Sequence, residues 1–214
     1  MARYDGVYNR SGVCCRESPS LIDSSFVREP IVRASTAVPE PYDVGLILAM
    51  SLIEGVPPET ITDERERQLV TDAGVSDSVY VKERFVLRCA AASHAVNTHL
   101  RYPIREHVLA GFLSWFSKNA AASTQFTEIY ESYRRRAPVY HEAAAKDVAN
   151  ASDDPDKLVF SEIDYAFQFH LQQHPSASIS RSACQVLAMT LARAYWQGQM
   201  EGSVALFQRA ALLQ

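Results

Sequence analysis

The chain has 214 residues, 47% of them apolar, and a formal charge of -4 at neutral pH, which is enough for one substantial core or two small ones. No run reaches the roughly 18 consecutive apolar residues of a membrane span, and the start, MARYDGVYNRSGVCCRESPS, lacks the apolar stretch of a secretory leader. Cysteines at 14, 15, 89 and 184 form no spaced disulfide framework, so a protein of a reducing compartment with no membrane partner is expected.

Residues 1–40 predict an extended arm. Pro19, Pro30 and Pro39 forbid a long helix there, yet Leu21, Ile22, Phe26 and Val32 are too apolar for a purely solvated tail. These four are the candidate oligomerisation contacts, docking on a neighbouring copy. From Pro41 onward the apolar spacing is helical and no strand alternation stands out. A short helix over Tyr42 to Glu54 is stopped by Gly55, Pro57 and Pro58. A polar helix over Asp63 to Asp72 ends at Gly74, and Ser76 and Asp77 can cap a long helix to His99. Arg105 to Lys118 carries Val108, Phe112, Trp115 and Phe116 and is apolar enough to sit centrally. Ser123 to Arg136 is amphipathic, with a weaker helix after it, and Ala151 to Pro155 is an acidic loop. Lys157 to Gln173, Ser178 to Gln197 and a short helix to Leu213 complete the chain. The expected fold is therefore all-α, a single core domain of about eight helices over residues 41–214, preceded by the arm.

No catalytic constellation emerges. The phosphate-loop, dinucleotide and nucleophile-elbow patterns are absent. His141-Glu142 opens like a zinc-protease helix, but Ala145 occupies the second histidine position. His170 and His174 have a metal-capable spacing without further ligands at a plausible spacing. Neither an enzyme nor a metal or other cofactor is expected.

The charge is unevenly distributed, and that is what suggests a partner. Residues 41–80 sum to -6, 81–136 to +5, 137–177 to -5 and 178–214 to +2. Basic faces can hence exist on an acidic chain. Arg101 and Arg105 bracket the joint at Pro103, Arg134, Arg135 and Arg136 end a helix, and Arg181 opens the last long one. These six arginines are the candidate RNA-binding residues, because arginine forks match phosphate oxygens. A competing reading pairs such cations with carboxylates such as Glu83 or Glu106.

The block Asp164, Tyr165, Ala166, Phe167, Gln168, Phe169, followed by a proline loop, Arg181 and an alanine-rich helix, resembles the late core of flexuous filamentous plant-virus coat proteins. Phe112 to Arg136 loosely resembles the preceding helices of that family. The likeness covers about a third of the chain. It implies a helical core, an arm that holds the next subunit, and a sequence-independent site for RNA. Gln168 stands where the family has an acidic residue, and Arg105 is nearest in order to the family's pocket arginine. The Pro, Ala and Ser content separately resembles the Pro-Ala-Ser-rich RNA-associated proteins of fungal viruses. Together these resemblances imply a viral, RNA-associated, self-associating structural protein of the virion or host cytoplasm. A helical interaction or effector protein without nucleic-acid binding is the alternative.

Overall fold

In the computed structural model, which describes residues 38–54, 61–150, 160–174 and 179–213, seven helices form and no strand does among the described residues. They are α1 (Pro41–Glu54), α2 (Glu64–Ala73), α3 (Asp77–His99), α4 (Ile104–Ala122), α5 (Thr124–Ala149), α6 (Glu162–Gln172) and α7 (Arg181–Arg209). All but the last three residues of the expected arm, including Leu21, Ile22, Phe26 and Val32, lie outside the described residues.

Local chemistry sets several ends. The Asp63 carboxylate accepts from the Glu66 N–H at 3.0 Å and caps α2, while Gly74, at φ 70°, takes the left-handed turn that closes it. Ser161 and Asp164 form a reciprocal capping box at the start of α6. Ser76 precedes α3 in extended geometry without a side-chain cap bond.

Two expected breaks do not occur, and among the described residues seven helices stand where about eight were expected. Helix α5 runs straight through Pro138, because Tyr133, Ala137, Tyr140 and Ala144 keep one buried face in phase on both sides of it. Burying that stripe outweighs the roughly 3 kcal/mol that an interior proline costs. Helix α7 likewise continues past Gly198 and Gly202, since Trp196, Ser203 and Phe207 extend its buried stripe.

Helix α3 is the axis of the fold, with Phe85, Val86, Cys89, Ala92 and Val96 buried along it. Helix α4 returns antiparallel to it, bringing Phe116 to 6.3 Å from Phe85, and α5 returns again, stacking Tyr133 on Phe116 at 6.0 Å. Helix α7 runs alongside in the direction of α3: Ser180 N–H donates to the Ala73 carbonyl at 3.0 Å near the start of α3, and Arg88 reaches Gln199 further along. Helix α1 crosses α4 at two glycines, where the backbones touch. A Cβ on Gly45 would lie 2.1 Å from the Val108 carbonyl oxygen, and one on Gly111 would lie 2.0 Å from that of Tyr42.

Candidate nucleic-acid interface

The six candidate arginines fall into three situations. Arg101, Arg134, Arg135 and Arg181 are exposed. Arg134 lies over the Tyr130 ring at 5.9 Å, and none of these four forms an ion pair with another described residue. Arg105 is half-exposed and bonds the Glu106 carboxylate at 3.0 Å. Arg136 turns inward, where it meets the fully buried carboxylate of Glu83. It therefore leaves the Arg134 to Arg136 run as a structural cation, because a buried carboxylate needs a partner that water cannot be.

Nor do the six share one patch. Helix α3 has 23 residues, about 34 Å at 1.5 Å per residue. Arg101 and Arg105 lie beyond its C-terminal end, with Tyr102 between them, 77% exposed. Arg181 lies at its N-terminal end, tied there by the bond from Ser180 to Ala73. The Arg136 to Glu83 contact brings the Arg134 and Arg135 segment to the Arg181 half as well. The other cations of α3 are engaged: Lys82 with Glu128 at 3.3 Å, Arg84 with Glu66 at 2.7 Å, and Arg88 with Gln199 at 3.2 Å.

Three polar groups inside the bundle were not legible beforehand. In the first, Arg84 Nη1 and the Tyr80 hydroxyl both donate to Glu66 Oε1, at 2.7 and 2.6 Å, with the guanidinium also over the Tyr80 and Tyr195 rings. Burial and the carboxylate neighbour push the Tyr80 phenol far above its ordinary range. In the second, Glu83 meets Arg136 from α5 and accepts from His174 Nε2 at 3.2 Å, while the rings of His170 and Tyr140 meet edge-on at 5.4 Å. Among the described residues, both His170 ring nitrogens, the Tyr140 hydroxyl and Glu83 Oε2 have no partner within hydrogen-bond geometry. In the third, His94 lies 5.3 Å from His141 and 5.4 Å from Trp196, and His141 Nε2 contacts the Ala90 carbonyl and the Ser93 hydroxyl at 3.1 Å. Burial lowers the pKa of both histidines, and their mutual repulsion adds to this at His94. A cleft of about 550 Å³ opens beside the second group, lined by Lys82, Phe85, Glu128, Ile129 and His174. Among the described residues, no three His, Cys, Asp or Glu side chains gather where they could hold a metal ion, and no helix is long and apolar enough to cross a membrane. Cys184 is buried and its thiol is pushed up to about 11, while burial drives Cys89 higher still, so both are inert thiols.

The aromatic block divides by helix geometry. Phe167 is fully buried, edge-on to Tyr80 at 6.3 Å. Tyr165 and Phe169, one turn apart, point outward, 57% and 47% exposed. The neighbouring helix α7 exposes Val186 and Met189, and the two helices are tied by Gln168 Nε2 donating to the Arg181 carbonyl at 3.2 Å and by Arg193 Nη2 donating to Asp164 Oδ2 at 3.4 Å. Gln168, which departs from the coat-protein pattern, thus holds the start of α7. No family model, no curated protein and no solved structure matches the chain.

Proposed function

We propose that this chain is an RNA-associated structural protein, coat- or nucleocapsid-like, that binds RNA through its phosphates without reading bases and that self-associates. The observation that carries the reading is the set of exposed arginines without a carboxylate partner among the described residues: Arg101, Arg134, Arg135 and Arg181. Their separation matters as much as their exposure. Cations at opposite ends of an approximately 34 Å helix cannot clamp one small anion, whereas a polynucleotide carries a charge about every 3.4 Å along each strand. The likeness of the Asp164 to Phe169 segment and the alanine-rich helix after it to filamentous coat proteins lends the reading its viral setting. The exposed apolar side chains Tyr165, Phe169, Val186 and Met189 favour a second reading, a helical interaction protein without nucleic-acid binding.

Titrating the purified protein with unrelated RNA sequences at increasing salt separates the two. Similar affinities for all sequences, falling steeply with salt, are expected. Changing Arg134 and Arg135 together to alanine lowers affinity and flattens the logarithmic salt slope by about 1.4 to 1.8, since each phosphate contact contributes about 0.7 to 0.9. Absence of RNA binding at low salt leaves the interaction reading in its place.

A further inference from the structure

We propose that His170 is an acid trigger, whose protonation releases helix α6 from α3 and α5. The imidazole is 4% exposed and, among the described residues, neither ring nitrogen has a partner within hydrogen-bond geometry, although the Gln173 side chain acts on the ring in favour of its protonated form. From α5 it faces the Tyr140 ring, at 5.4 Å, and the positive charge of Arg136. Helix α6 itself places Phe169 against it at 5.6 Å and brings Gln173 and His174 near. From α3 come Glu83, already engaged by Arg136 and His174, and Lys82, whose charge acts on His174. Across Tyr140, α7 contributes Trp196, 6.3 Å from the phenol ring. A proton on His170 therefore creates a cation in a buried site near an existing cation.

His174 responds differently. Its Nε2 already contacts Glu83 Oε1 at 3.2 Å, so a proton there acquires an ionic partner, although burial, Arg136 and Lys82 lower its pKa. It adds no acceptor for His170. Further holds on α6 are the Asp147 carboxylate, accepting from the Glu162 and Ile163 N–H groups at 2.7 and 3.3 Å, the Arg193 to Asp164 contact, and Gln168 Nε2 donating to the Arg181 carbonyl at 3.2 Å. The first two act at the N-terminal end of α6 and the third ties it to α7, whereas His170 and His174 act where α6 meets α3 and α5. Acid thus loosens α6 from its C-terminal end and exposes Leu171 and Phe167.

The direction follows from linkage. Burial first, then Arg136, holds His170 down to about 4, against about 6.5 for a solvated imidazole. The opened form binds the proton more readily, so the contribution of neutral His170 to closure is present above about pH 6.5 and is lost as pH falls toward 4. Over that interval the opening constant of α6 rises about a hundredfold. Asp164, whose pKa is raised by burial, contributes in the opposite sense.

Hydrogen exchange of the full chain, corrected for intrinsic rates, tests the device at about pH 7 and about pH 4.5. The expected result is a fifty- to hundredfold loss of protection (roughly, by the same linkage) in α6 that α4 does not share. H170Q removes most of it, leaving only the part that the lowered pKa of His174 contributes, and H141Q, which alters the other buried histidine pair, retains it. Full protection of α6 at the lower pH, or the same loss in H170Q, overturns the proposal. Should H170Q fail to fold, the imidazole titration of the parent by NMR decides: a midpoint near 6.5 in the folded state, about the solvated value, overturns it equally.

Discussion

At the scale of single residues, the fold depends most on charges that face inward. Glu66 and Arg84, with side chains 6% and 4% exposed, were removed from water together. Arg84→Met leaves Glu66 as an uncompensated buried anion beside Tyr80 and is expected to cost about 3 to 5 kcal/mol in urea unfolding. Glu66→Gln, which keeps an acceptor for the Tyr80 hydroxyl, costs less. A double change of Glu66 and Arg84 to apolar residues is expected to cost less than the sum of its singles, since each single strands a charge that the double removes. None of this could be read beforehand. Arg84 and Arg88 have the spacing of a basic stripe, and only the packing of α2 and α7 against α3 reveals that the first is interior and the second is bonded to Gln199. Arg136 teaches the same lesson: in the sequence it is one of three equal arginines, and the fully buried Glu83 singles it out.

Individual helices were the more legible level. Asp63 and Gly74, as cap and stop of α2, follow from residue chemistry alone, as does the helical spacing of Phe85, Cys89 and Val96. The segment ends expected at Arg136 and at Gln197 do not occur, because a continuous buried face carries α5 and α7 across them. Glycines in this chain consequently have two opposite meanings. A Cβ on Gly198 or Gly202 meets nothing within 4 Å, so Gly198→Ala and Gly202→Ala are expected to stabilise by about 0.5 to 1 kcal/mol each, through lower backbone entropy in the unfolded chain. Gly45→Ala and Gly111→Ala drive a methyl group into backbone atoms at 2.1 and 2.0 Å and are expected to cost about 3 kcal/mol or more. Thermal melts of the four variants should fall on either side of the parent.

For the whole molecule, the helical class was legible because apolar spacing persists over long segments, whereas the interface was not. Surface cations look alike in a sequence, and their grouping depends on which ends of α3 the joints at Pro103 and Ser180 occupy. The self-association proposed above rests on the apolar residues Leu21, Ile22, Phe26 and Val32 of a proline-rich sequence that lies outside the described residues. Deleting residues 1–37 should lower the assembly mass in light scattering while leaving the helical circular dichroism of residues 38–214 in place; an unchanged mass assigns self-association to another surface. The crossing of α1 over α4 bears on that assembly mechanically. Tension applied to the chain ahead of Val38 reaches α1 first, and α1 cannot slide along α4 without forcing the main chain at Gly45 past Val108 and Phe112. Such a pull would therefore work first against the close backbone contacts of α1 with α4.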